Sequence, residues 1–205
     1  MNTGLKPLVL MLAALASPAI GQVFTIWAET PEAVNPGETY TVEFWGSIEG
    51  DPWVDGVSAL AGFGVDALGS GPVVSVTTAT IADWASDFGM EGQVTGIDVL
   101  AISGGQYSLI VFQPDFNWDN PSILFTIEVA ASNAPGLITY VPGNPNVNGG
   151  LSFYPDSQDS ASIAAPNDSG TMLVLIGATT QIVPAPATLG LVFAGLFGSG
   201  RRRGL

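Results

Sequence analysis

A two-residue hydrophobic period, repeated in short runs along the middle of the chain, restricts the fold more than any other feature. Successive side chains of an extended strand point to opposite faces, so strict alternation marks a half-buried strand and argues against an amphipathic helix. Between Ser122 and Val129 the pattern predicts Ile123, Phe125, Ile127 and Val129 inward, with Leu124, Thr126 and Glu128 outward. Tyr40, Val42 and Phe44 alternate with Thr39, Thr41 and Glu43, and Tyr107, Leu109 and Val111 repeat the rhythm. Further strands are predicted at 23–28, 58–66, 73–81, 93–102, 136–141, 150–154 and 172–182. Turn chemistry separates them at Asn35-Pro36-Gly37, Asp55-Gly56, Gly69-Ser70-Gly71-Pro72, Ser103-Gly104-Gly105 and Pro142-Gly143-Asn144-Pro145. One segment breaks the rhythm: Trp84 and Phe88 stand four apart within Ile81–Phe88, which predicts one or two helical turns against a sheet edge. Many short strands with no helices between them predict an all-β fold, an antiparallel β-sandwich.

Two stretches carry a family likeness. Pro36-Gly37-Glu38-Thr39-Tyr40-Thr41-Val42 resembles the second strand of cohesin-like and related carbohydrate-binding sandwiches. So does the strand Leu124–Val129 followed by the Gly-led strand 136–141. The resemblance implies a jelly-roll or cohesin-like arrangement of strands; a fold alone leaves function open.

Charge is distributed unusually. The only basic residues are Lys6, Arg201, Arg202 and Arg203, and all 18 acidic residues lie between Glu29 and Asp168. The stretch 22–182 thus sets 18 carboxylates against no cationic side chain, a formal charge of −18. Side-chain salt bridges cannot form within it. Any partly buried carboxylate must be protonated, hydrogen-bonded to backbone or hydroxyl donors, or paired with a metal ion. Nucleic acid is excluded as a partner, because that affinity comes largely from Lys and Arg on phosphates. There is no cysteine, hence no disulfide framework.

Compartment is read from the two ends. Residues 1–21 have the parts of a secretory signal peptide: a weakly positive start to Lys6, an apolar run over 7–16 that would form a short helix, and the small-residue stretch Ala19-Ile20-Gly21. Cleavage is expected between Gly21 and Gln22, with cleavage after Ala19 as the alternative. Residues 183–205 begin Val183-Pro184-Ala185-Pro186, continue through an apolar Gly-rich stretch to Gly200, and end on Arg201-Arg202-Arg203. Counted from Ile182 the apolar stretch would make a helix about 28 Å long, marginal against a hydrocarbon core of about 30 Å. The arginines would stay cytoplasmic.

This tail resembles the PEP-CTERM sorting signal, in which a Pro-x-Pro start, a short transmembrane helix and an Arg cluster follow one another. Here Ala185 stands where the usual motif has Glu. The resemblance implies an exosortase-like membrane protease as a partner, after the secretion translocon and signal peptidase, and an extracellular polysaccharide context. The chain is therefore read as a signal peptide (1–21), an acidic β-sandwich domain (22–182) and a sorting or anchor tail (183–205). It would be exported, held at the membrane at least transiently, and then placed at the cell surface or released outside the cell.

No catalytic constellation stands out. The absence of His, Cys, Lys and Arg from 22–182 removes nucleophile–base dyads, Schiff-base lysines and imidazole or thiolate metal sites. Asp168-Ser169-Gly170-Thr171 matches one half of an aspartic-protease dyad, but there is a single copy, in a turn context. Asp115, Asn117 and Asp119 have the spacing that opens a Ca²⁺ loop, although Asn120 and Thr126 stand where the EF-hand pattern needs Gly and Glu. An Asp/Asn turn is the plainer reading, and no other cofactor is implied. Among five tryptophans, Trp53 and Trp118 lie in predicted loops beside acidic residues and are candidate glycan contacts, while Trp45 falls on the outward face of its strand. The reading reached is a non-enzymatic, surface-sorted structural or adhesive protein. A carbohydrate-binding module is the alternative, and a carboxylate-based hydrolase the third possibility.

Overall fold

The computed structural model describes residues 21–107, 117–143, 149–156 and 161–183. The signal segment 1–20, the tail from Pro184 to Leu205, and the expected strand beyond Tyr107 lie outside the described residues. Among the described residues no helix is long and apolar enough to cross a membrane.

The chain is all-β. Its strands begin with β1 (Gln22–Glu29), β2 (Ala33–Val34), β3 (Thr39–Glu49), β4 (Ala59–Ser70) and β5 (Val73–Val76). They continue with β6 (Thr80–Ile81), β7 (Met90–Thr95), β8 (Asp98–Gly105), β9 (Ser122–Ala131) and β10 (Gly136–Gly143). The last are β11 (Gly150–Tyr154), β12 (Ile163–Ala165), β13 (Thr171–Ile176) and β14 (Ala178–Ile182). One sheet has the order β13-β1-β3-β9-β5, with β6 also on β9; the other has the order β12-β11-β4-β10-β14-β2, with the β7–β8 hairpin on the free edge of β4. Pairing is antiparallel except for β1 with β13 and β14 with β2, which are parallel. These parallel joins let the last strands of the chain close both sheets over its first.

The two inner faces form one core. Phe24, Ile26, Val42, Phe44, Ile48 and Ile127 from one sheet meet Phe63, Val65, Ile102, Ile138, Tyr140 and Phe153 from the other. Phe125 is the hub: its ring stacks on Phe44 at 4.4 Å and on Phe63 at 5.7 Å between centroids.

Strict alternation fails at one point in β9, with a clear cause. Phe44 pairs with Phe125, but the next residue, Trp45, pairs with Ile123, so Leu124 is the extra residue of a β-bulge. Leu124 and Phe125 therefore both turn inward and are fully buried, while Ile123 moves to the outer face. This reverses the expected sides of Ile123 and Leu124.

Other boundaries shift for equally local reasons. The expected strand 93–102 belongs to a hairpin, turned at Gly96 with φ +68°. The run 73–81 is two short strands, and 172–182 divides between the two sheets. Ser103-Gly104-Gly105, expected as a turn, is the end of β8 paired with β4. Its glycines answer to close packing: a Cβ on Gly105 would lie 2.7 Å from the Ala61 carbonyl oxygen. Finally, Asp83–Phe88 is a 3-10 helix. With three residues per turn, Trp84 and Phe88 no longer share a face: Trp84 packs edge-on against Phe63, whereas Phe88 is exposed and meets Tyr107 at 4.4 Å.

Candidate interaction surfaces

A body without cations can bond its carboxylates only to neutral donors, and several of the described carboxylates are bonded in that way. Three indoles serve nearby carboxylates two residues along the chain: Trp27 Nε1 donates to Glu29 at 2.9 Å, Trp45 Nε1 to Glu43 at 3.0 Å and Trp53 Nε1 to Asp55 at 2.8 Å. Backbone amides serve others. Glu38 accepts from Asn35 N, Asp66 from Ala101 N, Asp98 from Gly69 N and Asp168 from Ala164 N, all at 2.6–2.7 Å. Charge-assisted bonds of this kind hold turns and ladder irregularities in place. Ala101, with φ +60° at an irregular point of β8, is held by the Asp66 bond.

The outer face of the eight-stranded sheet carries a groove of about 580 Å³. Gly62 and Gly64 of β4, Gly105 of β8 and Gly150 of β11 line it with almost no side chain; Phe88 and Tyr107 also line it, as do Asn167 and Asp168. Ser152 Oγ donates to the Gly62 carbonyl, and Tyr154 Oη to that of Gln106. Asp168, the one carboxylate here among the described residues, already accepts the Ala164 amide, and its own amide and carbonyl are tied into the same turn. The protease-like tripeptide is thus a turn element. Among the described residues the groove has shape and aromatic edges and no base–nucleophile pair.

The outer face of the six-stranded sheet is different. Ile176, Trp27, Trp45 and Ile123 stand side by side in cross-strand register on β13, β1, β3 and β9. The two indoles are nearly parallel, with centroids 6.4 Å apart and 17° between planes. Ile123 also lines a hollow of about 680 Å³ bordered by Asp83, Trp84, Asp119 and Thr126. Trp84 is fixed there by its Nε1 bond to the Ile123 carbonyl at 2.7 Å.

The candidates taken from sequence fall as follows. Asp115 lies outside the described residues. Asn117 folds its side chain into the protein, with Oδ1 accepting from Asp119 N and Nδ2 donating to Ser122 Oγ. Gln106, buried, bonds the same loop through Asn117 N and O. Among the described residues no three His, Cys, Asp or Glu side chains gather as a metal would need. Trp53 packs its ring on Phe153 at 5.3 Å, and Trp118 is partly exposed. Gly21 and Gln22 stand at the start of β1, where the Gln22 amide donates to Gly170 O. Val183 closes β14 with a bond to Val34 O, and the remainder of the sorting motif and Arg201–Arg203 lie outside the described residues. Sequence reasoning placed Trp45 outward but missed its partner: only strand register could show that Trp27 stands beside it.

No protein-family model matches the chain, and no curated protein matches it. Solved structures do. The seventh ScaB type I cohesin of Pseudobacteroides cellulosolvens is similar at 10% identity and TM-score 0.50, covering 82% of this chain and 96% of its own. The sixth cohesin of scaffoldin B of Acetivibrio cellulolyticus, solved in complex with a Cel5 dockerin, gives 7% identity and TM-score 0.51 over 78% and 99%. CaCohA2 of Clostridium acetobutylicum gives 12% and 0.51, over 78% and 99%. The chain has a cohesin-like β-sandwich fold.

Proposed function

We propose that this protein is an exported, non-catalytic interaction module, a structural or adhesive component of the cell envelope or the extracellular polysaccharide matrix. The observation that carries the reading is the groove on a cohesin-like sandwich: a shaped surface with aromatic edges and, among the described residues, no base–nucleophile pair. The similar cohesin of A. cellulolyticus was solved with a dockerin bound, which supports a protein-binding role for this kind of sandwich. The absence of His, Cys, Lys and Arg from 22–182 supports the non-enzymatic part.

Export and sorting rest on the two ends. The signal peptide sends the chain through the translocon and is cut near Gly21–Gln22, and the Val183–Pro186 motif with Arg201–Arg203 presents the tail to an exosortase-like protease. The body then stands at the surface or in the matrix. Deleting 183–205 in the native host tests this: the truncated protein should leave the surface fraction and appear in the medium or the periplasm. Unchanged surface retention would remove the sorting role.

A further inference from the structure

The row of Ile176, Trp27, Trp45 and Ile123 crosses four adjacent strands, a span of about 14 Å at the usual interstrand spacing. Its centre is two nearly parallel indoles, each held by a bond from its N–H to Glu29 or Glu43. Those bonds fix ring orientation, so little side-chain freedom remains to be lost on binding. Each carboxylate keeps lone pairs beyond the one its indole occupies. At the Ile123 end the row continues into the hollow bordered by Asp83, Trp84 and Asp119. Outward neighbours in the same strands are Thr25, Thr41, Ser47 and Thr126.

This combination selects a ligand. A polyanion is repelled by a body of formal charge −18 with no cation to receive it. A lysine- or arginine-rich peptide needs carboxylates spread along its path, but here Glu29 and Glu43 stand opposite each other on one side of the indoles, with Thr25 and Ser47 on the other, and both already accept indole protons. A neutral sugar chain offers what the face lacks and takes what it has: apolar C–H faces for the indoles, and a rim of hydroxyl donors for the carboxylates. We infer that the outer face of the six-stranded sheet is a binding site for a neutral polysaccharide, seated on Trp27 and Trp45 with Glu29 and Glu43 accepting its hydroxyls. The site is separate from the groove of the other sheet. It depends on the export reading only for where the polysaccharide is met.

The test is native affinity electrophoresis of the full chain in gels containing hydroxyethylcellulose or xylan, with alginate and oligolysine as charged comparisons. Retardation by at least one neutral polymer is expected, weakened about tenfold for each indole removed in Trp27→Thr and Trp45→Thr. Glu29→Gln and Glu43→Gln, which keep an acceptor and the strand, should weaken it several-fold, and Trp53→Phe should leave it unchanged. Should the threonine variants fail to fold, NMR of the native chain reads the same claim: the indole N–H signals of Trp27 and Trp45 shift on titration with xylohexaose or cellohexaose, while that of Trp53 stays. Absence of retardation by both neutral polymers, retardation untouched in a folded double variant, or oligolysine binding in their place would overturn the inference. Because binding is read on purified protein, failure of export in the host would leave this result standing, and the reverse.

Discussion

The bulge in β9 makes a prediction that separates two registers. Strict alternation buries Ile123 and exposes Leu124; the structure does the opposite, with Leu124 fully buried beneath Gly46 and Ile123 outward beside Trp45. Leu124→Ala should then remove a wholly buried isobutyl group and leave a cavity, costing about 2–5 kcal/mol. Ile123→Ala removes half-buried surface from an outer face and should cost about 1 kcal/mol or less. With a urea m-value of about 2 kcal/mol/M, Leu124→Ala lowers the midpoint by roughly 1–2.5 M and Ile123→Ala by under about 0.5 M. Urea unfolding followed by far-UV circular dichroism reads both, with unchanged slopes as the check that compactness is conserved. A larger effect at Ile123 than at Leu124 would refute the bulge, and with it the alignment of Ile123 with the Trp27–Trp45 row.

Three further outcomes follow from the same physics. Asp66→Ala strips the acceptor from the Ala101 amide at a left-handed backbone position and should cost about 1–2 kcal/mol, at the low end because water reaches the site, while Asp66→Asn should recover most of it by urea unfolding. With no attractive ion pair available in 22–182, added salt screens only repulsion there, so the melting temperature should rise as NaCl increases from about 0.01 M to about 0.5 M and the Debye length falls from about 30 Å to under 10 Å; a falling melting temperature would contradict the account. Burial, reinforced by Tyr40 and Asp98, raises the Tyr140 pKa, and burial likewise raises Tyr40 against an opposing effect of Thr180. Both phenols hold their protons more tightly folded than unfolded, so their contribution is present below the ordinary tyrosine pKa of about 10 and is lost as pH rises above it. Unfolding titrations should show that loss, smaller in Tyr140→Phe.

The β class was legible because alternation is a local signal. Tyr40, Val42 and Phe44 face inward as their spacing says, and Trp45 faces outward. What the sequence could not show depends on partners remote in the chain. Leu124 turns inward because of how β9 meets β3, and Gly104 and Gly105 look like turn residues until Ala61 and Phe63 are seen against them. Pairing of Trp27 with Trp45 needs the β1–β3 register, and the groove needs β4, β8 and β11 brought together. The cation-free charge pattern was more informative than any motif: it requires that carboxylates find neutral donors, and Glu29, Glu43, Asp55, Asp66, Asp98 and Asp168 all do.

The most direct test of the central claim is the intact mass of the protein recovered from its native host, fractionated into membrane, surface and medium. The account predicts a surface or released form lacking both ends, beginning near Gln22 and ending near Pro184. A mature form that stays in the membrane and keeps Arg201–Arg203 would contradict processing by a sorting protease and make the tail an anchor alone.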